Sequence, residues 1–176
     1  MIGKGVPRDF ARGAELFAKA ATQDNSEACY DLGHCYYRGD GVAMDLAHAV
    51  ELFHKAAGMG LADAQFTLGG CYMVGEGVPR DPIRGAELFG RAAEQGKAEA
   101  QLALGACCMQ GTGVPQDFVR GVTLIRKAAE QGLAAALSRL GMCYAEGQGV
   151  PKDTIRAGAL FAQAAYADVL AIHKPK

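Results

Sequence analysis

One interval governs this chain. Gly5-Val6, Gly41-Val42, Gly77-Val78, Gly113-Val114 and Gly149-Val150 stand 36 residues apart each time, with no insertion or deletion between copies. A fixed period of about 20–50 residues marks supersecondary units that bury their apolar faces on one another, so the architecture is a quasi-one-dimensional stack. The cleanest copy reads Leu68-Gly69-Gly70-Cys71-Tyr72-Met73-Val74-Gly75-Glu76-Gly77-Val78-Pro79-Arg80-Asp81. The period divides the chain into a half repeat at 1–24 and repeats at 25–60, 61–96, 97–132 and 133–176, forming one solenoid of about nine helices.

Each period reads as two helices. The first type, predicted over 28–38, 64–74, 100–110 and 136–146, carries apolar or small residues such as Ala64, Leu68, Gly69, Cys71 and Tyr72 at core-facing helical spacing. Glycine inside a helix costs roughly 1 kcal/mol against alanine, so the column Gly33, Gly69, Gly105, Gly141 implies close approach of a partner helix. A glycine-rich link follows, with Gly75 suited to a left-handed helix end and Asp81 to the next N-cap, as are Asp9, Asp45, Asp117 and Asp153. Pro82 then takes the first helical position. The second helix ends in an Ala-Ala pair such as Ala56-Ala57 and stops at Gly60, Gly96 and Gly132, or at Asp24-Asn25 in the first copy. The opening second-type helix has no first-type helix ahead of it, which implies a segment of a longer stack. The final helix runs on through Tyr166 to Ile172, as a terminal cap or as a surface for a further repeat.

Half of the residues are hydrophobic, which suits a packed core and excludes disorder. Eighteen basic against 19 acidic residues give a formal charge of -1, so no global attraction to nucleic acid or anionic membrane is expected. No apolar run approaches the roughly 20 residues of a membrane span, and Met1-Ile2-Gly3-Lys4 is too short and polar for a secretory signal. Cys35, Cys71, Cys107 and Cys143 recur once per period. Equivalent positions in stacked helices lie about 9–10 Å apart, beyond the about 7 Å Cα limit of a disulfide. They are expected to be reduced, small and buried, which favours a reducing intracellular compartment, cytoplasmic by default. Without a C-x-x-C spacing no metal site or other cofactor is expected.

The residues Ala64, Leu68-Gly69, Tyr72, Gly75, Gly77-Val78, Asp81, Leu88-Phe89, Ala92-Ala93 and Gly96, repeated along the chain, resemble the Sel1-like repeat, a relative of the tetratricopeptide repeat. The resemblance implies a right-handed α-solenoid acting as a non-catalytic adaptor or scaffold for protein partners. A secreted, cysteine-rich branch joins the two helices of each repeat by a disulfide, but Ala21 and Ala57 stand where its second-helix cysteines would be. The penicillin-binding or β-lactamase activity ascribed to that branch, a remote hydrolase alternative, is not carried over. Gly13, Gly85 and Gly121 replace an alanine usual in the second helix, and Cys108 replaces the tyrosine of Tyr36, Tyr72 and Tyr144, so looser packing is expected in the third repeat.

Catalytic constellations are scarce: the four histidines occupy four different repeat positions, and the glycine-rich links lack a preceding strand or a Gly-Lys-Ser/Thr pattern. The column Arg12, His48, Arg84, Arg120, Arg156 runs beside Glu15, Glu51, Glu87 and then Lys19, Lys55, Arg91, Lys127, a solvated ridge of weak i,i+3 and i,i+4 pairs. Glutamate gives way to Thr123 and Ala159, leaving Arg120, Lys127 and Arg156 as a patch for an acidic partner. By similarity to tetratricopeptide repeats, the first-type helices line the concave side, where Tyr30, His34, Tyr37, Phe66, Met73, Met109 and Met142 form either an adaptable groove for a partner peptide or helix, or core packing. The alternative is a structural subunit that contacts a larger assembly through its ends and outer ridge.

Overall fold

The computed structural model describes residues 9–172, and among these the chain is all helical. Nine helices follow in order: α1 (Phe10–Ala21), α2 (Ser26–Arg38), α3 (Leu46–Gly58), α4 (Ala62–Val74), α5 (Pro82–Glu94), α6 (Ala98–Gln110), α7 (Phe118–Glu130), α8 (Ala134–Glu146) and α9 (Thr154–Ile172). They fall into two compact units, Met1–Arg80 and Asp81–Lys176. In the first, α1 packs on α2, α2 on α3 and α3 on α4; in the second, α5 on α6, α6 on α7, α7 on α8 and α8 on α9. Gly5-Val6 and Met1 to Lys4 lie outside the described residues.

The link aspartates cap the second-type helices. The side chains of Asp9, Asp45, Asp81, Asp117 and Asp153 accept from the backbone N–H three residues on, at 2.9–3.2 Å, which satisfies one of the open N–H groups at each helix start. Asn25 does the same for α2 through Ala28 N–H at 2.9 Å. All four first-type helices begin two residues earlier than the sequence pattern indicates, and Leu61, Lys97 and Leu133, which precede α4, α6 and α8, do not cap through their side chains. The first-type helices end as expected, in left-handed Gly39, Gly75, Gly111 and Gly147. Each of these glycines donates its N–H to the carbonyl of the repeated cysteine four residues back.

Two glycine columns are required by contact. A Cβ on Gly33 would strike the Phe53 ring, and one on Gly105 would strike Ile125 and the Gly121 carbonyl, so helix pairs approach at their glycines as expected. The second link glycine is more constrained. Gly113 has φ +72°, and its Cβ would drive into the Pro82 carbonyl at the start of α5, one repeat earlier. Gly41, Gly77 and Gly149 stand the same way against the carbonyls of Phe10, Leu46 and Phe118. The Gly-Val link is therefore the joint between consecutive repeats.

The six cysteines are free thiols, all buried except the half-buried Cys35. Cys29 directs its thiol at the Ala21 carbonyl, 3.8 Å away, while Gln65 and Gln101 at the equivalent positions donate to the Ala57 and Ala93 carbonyls at 3.3 and 3.2 Å. This column thus serves the open carbonyls at the ends of α1, α3 and α5. The third repeat is not loose at its missing tyrosine: Cys108 is fully buried, and Met109, 4% exposed, lays its thioether in the space left by Gly121.

Candidate functional site

In the first unit, α2 presents Tyr30, His34 and Tyr37 at i, i+4 and i+7, one helix face. All three are half-buried and rest on Phe53 of α3, which is fully buried. The His34 ring meets Tyr30 edge-on at 4.5 Å between centroids, Phe53 at 5.1 Å and Tyr37 at 6.3 Å. These separations suit edge-to-face aromatic attraction, so the four rings hold one another in place. The tyrosine hydroxyls reach the next repeat: that of Tyr30 lies 3.2 Å from the Thr67 hydroxyl on α4, and that of Tyr37 donates to Glu76 at 2.9 Å. Phe66 and Met73 stand half-buried on the same α4.

His34 is the odd member of this cluster. Its Nδ1 is enclosed without a hydrogen-bond partner. Burial pushes its pKa below the ordinary histidine value, the Arg38 charge lowers it further, and Asp31 opposes them. The hydrogen bond to Glu76, with burial, pushes the Tyr37 phenol upward. Burial among the rings thus disfavours the charged imidazole.

The remaining expected residues are placed differently. Met109 sits in the core of the second unit, beneath the surface, with its side chain against Gly121. Met142 on α8 is 42% exposed. Arg120 lines a depression of about 540 Å³ between α5 and α7 beside Glu87, Arg91 and Glu94, whereas Arg156 lines separate depressions with Arg126. Lys127 is exposed on α7.

The ridge holds together in a way the spacing did not reveal. His48 pairs with Glu51 at 3.3 Å as expected, but Lys55 reaches away from Glu51 to Asp24 at 2.9 Å and to the Ala21 carbonyl at 3.0 Å, tying α3 to the α1–α2 turn. His48 also meets Tyr36 edge-on at 4.4 Å, and Arg156 lies 4.7 Å over the Tyr144 ring. In both copies the tyrosine precedes its partner by 12 residues, and the tyrosine column is the one sequence signal that points to these contacts. Among the described residues no cluster of His, Cys, Asp or Glu is arranged to hold a metal ion, and no helix is long and apolar enough to cross a membrane.

Five consecutive Sel1 repeats match the chain, at residues 1–25, 26–61, 62–97, 98–133 and 134–169. The chain belongs to the Sel1 repeat family. It is similar to c5321, a protective antigen of uropathogenic Escherichia coli strains displaying an SLR fold, with 34% identity and a TM-score of 0.87 over 93% of this chain. A Sel1 repeat protein from Oxalobacter formigenes is 31% identical at the same TM-score, again over 93% of this chain. The chain spans 35% of the first relative's length and 67% of the second's. Helicobacter pylori cysteine rich protein B shares the fold, at 21% identity and a TM-score of 0.58, over 76% of this chain and 96% of that one. No curated protein matches the chain. The fold is accordingly the all-α Sel1 solenoid of 36-residue helix-loop-helix repeats, and Sel1 repeat proteins act in general as scaffolds for protein interaction.

Proposed function

We propose that this Sel1 repeat chain is a non-catalytic scaffold that holds a peptide or helix of a protein partner against the exposed face of its first-type helices. Tyr30, His34, Tyr37, Phe66 and Met73 would form the centre of that face, with Met142 as the corresponding contact of the second unit and Met109 as support from below. The observation that carries the reading is the half-exposed row of aromatic rings on α2, fixed by Phe53 beneath and by Thr67 and Glu76 of the next repeat. Rigid aromatic side chains give large contact area at low entropic cost, which is why they anchor interfaces. A flexible methionine beside them lets such a face accept a partner of imperfect fit.

Affinity capture with the full chain tests the proposal. Tyr30→Ser, Tyr37→Ser and Phe66→Ser, each checked for wild-type helical circular dichroism, should lose proteins that the wild type retains. Retention of every captured protein by all three folded variants would exclude this face. A second reading, a structural subunit fixed within a larger assembly, draws support from the apolar side chains open to solvent on α1 and α9, among them Leu16 and Tyr166. Light scattering distinguishes it, because a subunit of that kind associates through those helices and Leu16→Glu would block the association.

A further inference from the structure

A different surface, in the second unit, carries more positive than negative charge. Arg156 of α9 lies 4.7 Å over the Tyr144 ring, and Arg126 of α7 donates to the Tyr144 hydroxyl at 3.4 Å. One phenol thus positions two guanidinium groups, one by cation–π attraction and one by hydrogen bonding. Lys152 of the α8–α9 link completes the lining of the same cleft, of about 590 Å³. Among the described residues none of these three cations makes an ion pair. The contrast with neighbouring copies is direct. Arg84 turns back to its capping Asp81 at 3.3 Å, whereas Asp153, the cleft's own carboxylate, caps α9 by accepting the backbone N–H of Arg156. In the depression between α5 and α7, Glu87 and Glu94 stand beside Arg120; one repeat on, Thr123 replaces Glu87 and Arg126 replaces Gly90.

Arg126 and Arg156 also border a second, smaller depression of about 200 Å³, lined by Leu137, Leu140 and Leu160 alongside Glu130. Paired arginines next to an aliphatic hollow match one kind of ligand. We propose that the groove between α7 and α9 docks an acidic peptide segment of a partner protein, with a carboxylate between Arg126 and Arg156 and an adjacent aliphatic side chain over the three leucines. Arginine offers a planar fork of donors suited to a carboxylate, and a guanidinium already fixed on a ring loses less freedom when it binds. A nucleic acid or inorganic phosphate would engage the cations alone and leave the leucine hollow unused. The groove shares no residue with the aromatic face of α2 and α4, so either proposal can fail without the other.

Fluorescence anisotropy of the full chain with a fluorescein-labelled Gly-Asp-Glu-Leu-Gly peptide tests the groove. Binding should weaken about tenfold or more in the Arg126→Gln/Arg156→Gln variant and for the matched Gly-Asn-Gln-Leu-Gly peptide. It should weaken a few-fold in Lys152→Gln, an exposed link position where the fold is not at stake, and when glycine replaces the peptide leucine. Lys19→Gln on α1, which removes the same unit of net charge elsewhere, should leave the affinity unchanged. Raising the salt concentration should weaken binding, as it does for exposed charges. Equal affinity of wild type and both groove variants, equal binding of the neutral peptide, or displacement by inorganic phosphate or a single-stranded oligonucleotide at lower concentration than the unlabelled peptide would overturn the proposal.

Discussion

Replacing glycine by alanine at two positions of the second unit should move stability in opposite directions. Gly90 lies inside α5 with nothing within 4 Å of an added Cβ. Alanine there removes the entropic penalty of a helical glycine and should stabilise by about 0.5–1 kcal/mol. Gly113 has φ +72°, and its Cβ would enter the Pro82 carbonyl. Holding a residue with a Cβ in the left-handed region costs about 1–2 kcal/mol, and overpacking a close contact costs about 1–3 kcal/mol. Backbone cannot rotate aside as a side chain does, so the two penalties act together, about 2–5 kcal/mol in all. Thermal unfolding followed by circular dichroism reads the difference. At about 2–4 °C per kcal/mol for a chain of this size, Tm should rise by about 1–4 °C in Gly90→Ala and fall by about 4–20 °C in Gly113→Ala. The loss should be greatest at this joint because in a stack the interface between neighbouring repeats is itself a major stabilising contribution. A Gly113→Ala protein melting with the wild type, or a Gly90→Ala protein losing as much as Gly113→Ala, would refute the assignment of the link glycine to the repeat junction.

Three further outcomes are expected. His34 is held below the ordinary histidine pKa by burial and by Arg38, against Asp31, with Tyr30, Tyr37 and Phe53 around it; between that lowered value and about 6.5 the unfolded chain binds the proton more readily, so stability rises with pH across this window and levels off above it. Urea unfolding from pH 5 to 7 should show a shallower rise in His34→Gln, and parallel curves would remove His34 as the cause. Burial pushes the Cys71 thiol up to about 11, so Ellman's reagent at pH 8 should leave it unmodified in the native protein while all six thiols react in denaturant; fewer than six there would demonstrate disulfides. Asp117→Ala removes the α7 cap at 2.9 Å and should cost about 1 kcal/mol in chemical denaturation, whereas Asp117→Asn should keep most of the stability.

What could be read from residues alone was whatever is decided within one repeat. The capping aspartates, the left-handed glycines and the close-approach glycines each follow from local backbone chemistry, and 36-residue recurrence multiplies the signal. The starts of α2, α4, α6 and α8 lie two residues before the spans that the pattern indicates, because the buried face by which the pattern is read begins only at Ala28, Ala64, Ala100 and Ala136. The candidate surface was less legible, since exposure is decided by the residue across the contact. Tyr37, Met73 and Met109 occupy one column, yet only Met109 is buried, packed against Gly121. Lys55 reaches Asp24 instead of the nearby Glu51, a contact that exists only once α1 and α3 are side by side. Likewise Arg126, Tyr144 and Arg156 belong to three helices, and no spacing rule within one helix brings them together.

Hydrogen–deuterium exchange of the full chain, with and without a captured partner, reads whether the first-type helices hold that partner. The account predicts slowed exchange in the segments 30–37 of α2 and 66–73 of α4 on binding, in step with loss of that protection in Tyr37→Ser. Protection confined to the second-type helices α3, α5 and α7, with 30–37 and 66–73 exchanging as in the free protein, would contradict it.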